Sequence, residues 1–497
     1  MKNKNILSIF AFLLFSLSPL LGQRVMFFVH GFGANNSAWL PVTRAINNGR
    51  TGFIVRPAIT IPESYTEGVG VAVNTLDAAG DNLKLNFQRD LAPYGGINSA
   101  RAQDAILIAH SQGGLVSRWA TDISALGGLS KENAICSGGL VTFGTPNGGA
   151  KLAESRANGV LDAFLNSGCN DFGGGLIAEA WPSINIPYQG LLSVFGVSVI
   201  NTLESTKSAL CNTLFSQEPS NQPRTTEFLS QKLLGSILNS DGTKSIIEDK
   251  ILNDYQPNAP KLAQLVGTSP TTTVKRLAFY GDEIKSEAFI RTMRYIITPS
   301  QASDPFEATD DKEDALVTSF NNMRVDLKNS AQNFDLFAVL TGCMGFTSDW
   351  TCWVFHPERK YLTARDACNK AVLWMDNSNA SWLNLMGAAQ STTIQSTQCM
   401  CDVGGSGYVV QRACTRREVT RGCEEEIVTR VILGATEDND GVVTKSSALA
   451  LPGKIQISES DARMPGSQHM QMRNDPNTKD KLNNLFNGNY DPFFRTQ

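Results

Sequence analysis

The stretch Asp104-Ala-Ile-Leu-Ile-Ala-His-Ser-Gln-Gly-Gly-Leu-Val116 decides the fold. Its first half is a short apolar run of strand type, and its second half opens a helical pattern with Ser111 at the junction. A serine on so sharp a strand-to-helix turn must adopt a strained backbone. Side chains two residues before and two after it would collide, so those places need small residues. Ala109 and Gly113 meet the requirement. Such a turn lifts the serine oxygen clear of the sheet, where it can act as a nucleophile.

The surroundings strengthen this reading. Arg24-Val-Met-Phe-Phe-Val-His-Gly-Phe-Gly33 is a second run of β-branched and aromatic residues, ending at His30-Gly31. Downstream, Gly139-Leu-Val-Thr-Phe-Gly-Thr-Pro-Asn-Gly-Gly-Ala150 supplies a third, closing in the Gly144-Thr145-Pro146 turn. In this order the three segments resemble the His-Gly loop, the nucleophile elbow and the following turn of α/β-hydrolases, in particular secreted bacterial lipases of the triacylglycerol lipase type. Ala109 stands where the usual elbow has its first glycine, a variant found in some of those lipases. The resemblance implies an α/β-hydrolase fold, a mostly parallel sheet with helices on both faces and a helical lid insertion. It also implies that the backbone N–H groups of Phe32 and Gln112 form an oxyanion hole. It is spread over about 28–150 and 427–475; residues 151–425 match no family in this reading.

The chain has 497 residues, which suits one hydrolase core carrying large insertions. With 43 Lys and Arg against 47 Asp and Glu, the formal net charge of −4 gives no basic patch, so nucleic acid is not expected as a partner. Lys2 and Lys4 precede the apolar run from Ile6 to Gly22. This reads as a cleavable signal peptide over 1–22, hence a secreted or periplasmic protein. The run is short for a membrane span and broken by Pro19, and no cysteine follows it to carry a lipid anchor.

Export makes the ten cysteines disulfide candidates. Seven of them (Cys343, Cys352, Cys368, Cys399, Cys401, Cys414 and Cys423) crowd one segment, while Cys136, Cys169 and Cys211 lie earlier. Without a Cys-x-x-Cys pair, and with only His356 nearby, a zinc site is not expected.

Strands and helices alternate at first. The pattern predicts a helix over 36–48 with Trp39, Val42 and Ile46 on one face, a strand over 52–59, a mostly helical 65–91, the elbow strand over 104–110 and a helix over 112–126. This divides the chain into a first core part (23–150), a helical lid or cap (151–265), a core strand and helix (266–299), a cysteine-rich insertion lobe (300–425) and a last core part (426–497). The last part opens on Ile427-Val-Thr-Arg-Val-Ile-Leu433 as a further core strand. In the cap, Leu192, Phe195, Val199, Leu203 and Leu210 recur at helical spacing, as a lid meeting a lipid surface would require and as an ordinary core helix would equally show.

Four histidines are available as general base. His30 and His110 belong to the loop motifs. His356 lies inside the insertion, whereas His469 follows the last predicted strand. The fold's chain order of Ser, acid, His therefore favours His469. For the acid, Asn439-Asp440-Gly441-Val442-Val443 resembles the turn that carries the aspartate in bacterial triacylglycerol lipases. Asp282, at the end of an earlier strand, is the rival; Glu437 and Asp438 read as loop carboxylates, and an EF-hand reading fails at Thr436 and Ser447. Some of the resembled lipases hold a structural calcium with an aspartate two residues after the histidine. Here that place is Gln471, so neither a metal nor another cofactor is expected.

These readings converge on a serine hydrolase of lipid carboxylic esters working through an acyl-enzyme, with Ser111, Asp440 and His469 as its triad. An acyltransferase or a deacylase of lipid-anchored glycoconjugates would use the same residues. A non-catalytic binding protein on the same scaffold would have no physical need for a strained elbow.

Overall fold

The computed structural model describes residues 24–31, 34, 36–47, 59–66, 75–124, 137–158, 160–161, 164, 253–283, 287–297, 357–405, 408–413 and 424–496, with scattered residues between 321 and 332. Within 357–433 only part of the side chains is described. Residues 1–22, read as a signal peptide, the stripe from Leu192 to Leu210, Phe32, His356 and every cysteine side chain lie outside the described residues.

Among the described residues, six parallel strands form the main sheet in the order β2-β1-β3-β4-β5-β9. They are β1 (Val25–Val29), β2 (Ile59–Glu63), β3 (Ile106–His110), β4 (Gly139–Phe143), β5 (Lys275–Asp282) and β9 (Arg463–Pro465). All five residues of β1 are fully buried, as a parallel strand covered on both faces requires. Successive side chains point to opposite faces. Val25, Phe27 and Val29 accordingly join one apolar cluster with Leu83 and Phe87 of α2 (Leu76–Leu91) and Trp119 of α3 (Gln112–Asp122). Met26 and Phe28 join another, with Trp39, with Val42 and Ile46 of α1 (Leu40–Asn47), and with Leu482, Leu485 and Phe486 of α8 (Pro476–Phe486). The helices thus cover both faces, and the expected α/β architecture holds.

Residues 52–58 of the strand expected over 52–59 lie outside the described residues; Ile59 opens β2, whose register runs from Val25 opposite Ile59 to Val29 opposite Glu63. Pro62 is accommodated because β2 is the edge of the described sheet, where a missing N–H costs nothing. Of the mostly helical 65–91, α2 covers Leu76–Leu91, while 67–74 lie outside the described residues.

The expectation for 427–433 needs correction. These residues lie in β8 (Glu424–Thr436), which belongs to a separate antiparallel sheet of order β7-β6-β8 with β6 (Ala389–Gly405) and β7 (Tyr408–Ala413). The core position was taken by β9, only three residues long, which no periodicity could reveal. Ahead of this sheet runs the long helix α7 (Pro357–Leu385), and between β5 and α7 lies α6 (Ala288–Ile297).

At the end of β2, Glu63 is 2% exposed. Burial, and next a hydrogen bond to Asp90, push its carboxyl up to about 9. The folded chain therefore keeps a proton that the unfolded chain releases above about pH 4.5, so this group's contribution to stability is greatest in acid and declines as pH rises from about 4.5 to about 9. Glu63→Gln, an isostere of the protonated acid, should raise the melting temperature by several degrees at about pH 8.5 and leave it unchanged at about pH 4. Thermal melts at the two pH values check this; a variant that melts below the parent at the higher pH contradicts it.

Candidate active site

Ser111 has φ 54° and ψ −130°, and among the described residues it is the one non-glycine with positive φ. Such a conformation costs roughly 1–3 kcal/mol and persists only where its neighbours over-determine it. Here its N–H donates to the Phe143 carbonyl at 2.9 Å, and its own carbonyl accepts from Gly114 at 3.1 Å. The sequence requirement for a small residue at 113 has a direct cause. A Cβ there would stand 2.3 Å from the His30 carbonyl oxygen and 2.9 Å from that of Val29. Gly31 is constrained likewise, since its Cβ would lie 3.0 Å from both the Ser111 Cβ and His110 Nδ1. The His-Gly segment and the elbow therefore meet at one point. Gln112 is the first residue of α3, so its N–H has no acceptor within the helix and stands at the helix's positive end.

His469 lies on the loop after β9 and is 3% exposed. Its Nε2 is 2.9 Å from Ser111 Oγ and its Nδ1 is 2.7 Å from Asp440 Oδ2. Asp440 is 1% exposed, and its Oδ1 accepts from the amides of Val442 (3.0 Å) and Val443 (2.6 Å). These donors occupy Oδ1 and fix the plane of the carboxylate. They leave Oδ2 to accept from Nδ1–H, and that tautomer turns the Nε2 lone pair toward the serine hydroxyl. The backbone supports the pairing, because the His469 N–H donates to the Asp440 carbonyl at 2.7 Å.

Sequence reasoning gave His110 no role beyond its motif. Its Nε2–H donates to the His469 carbonyl at 2.8 Å and so holds the base's loop from the elbow strand. Burial, and next the charge that His469 can carry, keep its imidazole well below the ordinary range and hence neutral. Tyr65 was also missed. Its hydroxyl donates to the Gly31 carbonyl at 2.9 Å, which also lies 2.8 Å from His30 Nδ1, and the two rings stack at 4.3 Å. No periodicity marks such contacts, because they depend on the loops' three-dimensional return.

The rival acid Asp282 does not reach the base. Its Oδ2 accepts from Arg463 Nε at 2.6 Å and from Arg463 Nη2. The Asp440 turn nevertheless comes back to the end of β5, where Asp282 stands. The chain leaves there at Glu283 and returns at Asn439, whose carbonyl accepts the Glu283 N–H at 2.7 Å. Glu437 and Asp438 serve the turn: a Glu437 oxygen accepts from the Ser446 amide, and Asp438 lies 3.8 Å from Lys445. Near the base, Gln471 Oε1 accepts from the Gln468 amide at 3.4 Å. Among the described residues, no three His, Cys, Asp or Glu side chains cluster as metal ligands would.

The Gly144-Thr145-Pro146 turn has its own constraint. Gly144 has φ 55°, and a Cβ there would stand 2.8 Å from Asp440 Oδ2 and 3.2 Å from His469 Nδ1. Gly144→Ala should therefore push on the acid and base together and lower kcat by about tenfold or more, with a modest loss in melting temperature. Steady-state kinetics on folded protein checks this, and unchanged kcat would contradict it.

No protein-family model matches the chain, and no curated protein does. Among solved structures, the chain is similar to the mature form of the lipase BlEst2 of Bacillus licheniformis, with 16% identity over 55% of this chain and 73% of that one and a TM-score of 0.29. Phospholipase PlaB of Legionella pneumophila is matched at 14% identity over 53% and 40%, with a TM-score of 0.28. The propeptide form of BlEst2 is matched at 15% over 55% and 40%, with a TM-score of 0.26. Likenesses this distant carry no argument about chemistry, which rests on the residues themselves.

Proposed function

We propose that this protein is a serine hydrolase of carboxylic esters, with lipid esters as its substrates, working through an acyl-enzyme. The observation that supports it is the chain of contacts from Ser111 Oγ to His469 Nε2 at 2.9 Å and from His469 Nδ1 to Asp440 Oδ2 at 2.7 Å. A serine hydroxyl is a weak nucleophile until a neutral imidazole accepts its proton as the new bond forms. His469 takes that proton on Nε2 as Ser111 Oγ attacks the ester carbonyl, and the Asp440 carboxylate stabilises the imidazolium. The Gln112 amide, with that of Phe32, donates to the oxyanion. His469 then returns the proton to the departing alkoxide, leaving an acyl-serine. A water molecule deprotonated by the same imidazole attacks it and frees the acid.

Export through the leader, as a secreted or periplasmic enzyme, belongs to this proposal. No helix among the described residues is long and apolar enough to cross a membrane. The lipid preference rests on the resemblance of the His-Gly, elbow, Gly-Thr-Pro and Asp-Gly segments. The test has two arms. A fluorophosphonate probe should label Ser111, and p-nitrophenyl esters of graded chain length should be hydrolysed, with the longer chains preferred. Absence of both labelling and hydrolysis in folded protein overturns the reading; hydrolysis of acetyl esters alone overturns its lipid part.

A further inference from the structure

Most of the long excursion between Glu283 and the Asp440 turn plays no part in the reaction above. Its described part nevertheless ends against the acid. Trp382, on the last turn of α7, is fully buried, and its indole N–H donates to the Gly441 carbonyl at 2.9 Å. Gly441 is the residue next to Asp440 and has φ 90°. Two further bonds join the same parts. The Glu437 N–H donates to the Ala388 carbonyl at 2.6 Å, just past α7, and Ala389 of β6 pairs with Thr436 at the end of β8. Asn379 of α7 accepts the Phe289 N–H of α6 at 3.0 Å, and Phe289 packs against the Trp382 ring at 6.0 Å.

We infer that α7 and the small sheet deliver and hold the acid, with Trp382 as a positioning residue that fixes the Asp440 turn through the Gly441 carbonyl. The inference rests on the proposed triad. A catalytic carboxylate must be held to within a fraction of an ångström to keep its imidazole in the productive tautomer. The Gly441 carbonyl belongs to the planar 441–442 peptide, whose N–H is the Val442 donor to Asp440 Oδ1, so a donor on that carbonyl also fixes the amide that holds the carboxylate. The Val442 and Val443 amides hold the Asp440 carboxylate, and Trp382 holds the other side of the peptide that carries the first of them. The insertion is thus part of the site rather than an addition to it.

Two substitutions separate this role from mere packing. Trp382→Phe keeps an aromatic ring but lacks the N–H. Trp382→His is smaller and packs less well, but its five-membered ring can place a nitrogen where the indole nitrogen lies. The Phe variant should melt higher than the His variant and yet lose about fivefold in kcat, with KM within about twofold of the parent, as loss of one net hydrogen bond predicts. The His variant should keep kcat within about twofold, provided its imidazole is neutral, so the comparison is made above about pH 7.5. A second readout needs no turnover: the low-field proton resonance of the His469 Nδ1–H bonded to Asp440 should persist in the His variant and shift in the Phe variant.

If kcat follows melting temperature instead, or if the resonance is unmoved in a folded Phe variant, the inference is overturned. Should only one variant fold, its comparison with the parent still decides, since each has its own required result. A parent chain that neither reacts with fluorophosphonate nor hydrolyses esters refutes the proposed function and leaves the resonance to test the positioning.

Discussion

Ser111→Ala is expected to lower ester hydrolysis by about 10⁴-fold or more, because no other group stands where an acyl-enzyme could form. His469 Nε2 would face a methyl group, and hydrolysis would fall back on whatever the oxyanion donors and substrate binding provide. The fold should tolerate the change. Alanine at φ 54° bears the same backbone strain as serine, the residue is only 9% exposed, and the hydroxyl lost has His469 as its partner. The measurement is kcat on one ester, with circular dichroism and a thermal melt on the same sample. Residual activity above about a tenth of the parent in folded protein would remove Ser111 from the mechanism. Loss of activity together with loss of structure would assign the residue to folding instead.

The strained turn at Ser111 was legible in sequence because its constraint is local. Ala109, Ser111 and Gly113 lie within five residues, and the collisions that require small side chains arise from that turn and the neighbouring His30 carbonyl. The buried strands were legible as well, since β1 and β3 are continuous apolar runs, the pattern of a doubly covered parallel sheet. His469, the proposed base, was chosen by elimination among four histidines and by chain order. That β2 runs on through Pro62 was not legible, since proline is acceptable only at an edge and sequence does not say which strand is the edge. The last core strand was misassigned because 427–433 has the composition of a core strand, while the true one has three residues. What could not be read at all were the contacts between distant loops. His110 against the His469 carbonyl and Trp382 against Gly441 span 359 and 59 residues of chain.

Asp440→Asn is expected to lower kcat by about 10⁴-fold, equivalent to about 5.5 kcal/mol of transition-state stabilisation, whereas Asp282→Asn should change it by no more than about twofold. The size of the first effect follows from which way the new amide must face. Oδ1 of Asp440 accepts from two backbone N–H groups, at 3.0 and 2.6 Å, and only an oxygen can stay there. The amide NH₂ of asparagine must therefore take the place of Oδ2, 2.7 Å from His469 Nδ1. Two donors cannot share that contact, so the imidazole moves its proton to Nε2 and presents a donor, not an acceptor, to the Ser111 hydroxyl. The base is then in the wrong tautomer, and the carboxylate that would stabilise its charged form is gone. Asp282 has no such control. Its partner Arg463 is 47% exposed, and a pair of that kind contributes below about 1 kcal/mol to stability. An asparagine there can still accept from the guanidinium. Rates for both variants on one ester decide the matter. If Asp282→Asn is the crippled enzyme and Asp440→Asn the active one, the acid has been assigned to the wrong one of two carboxylates at the same strand end, and the 2.7 Å contact to His469 serves the fold rather than the chemistry.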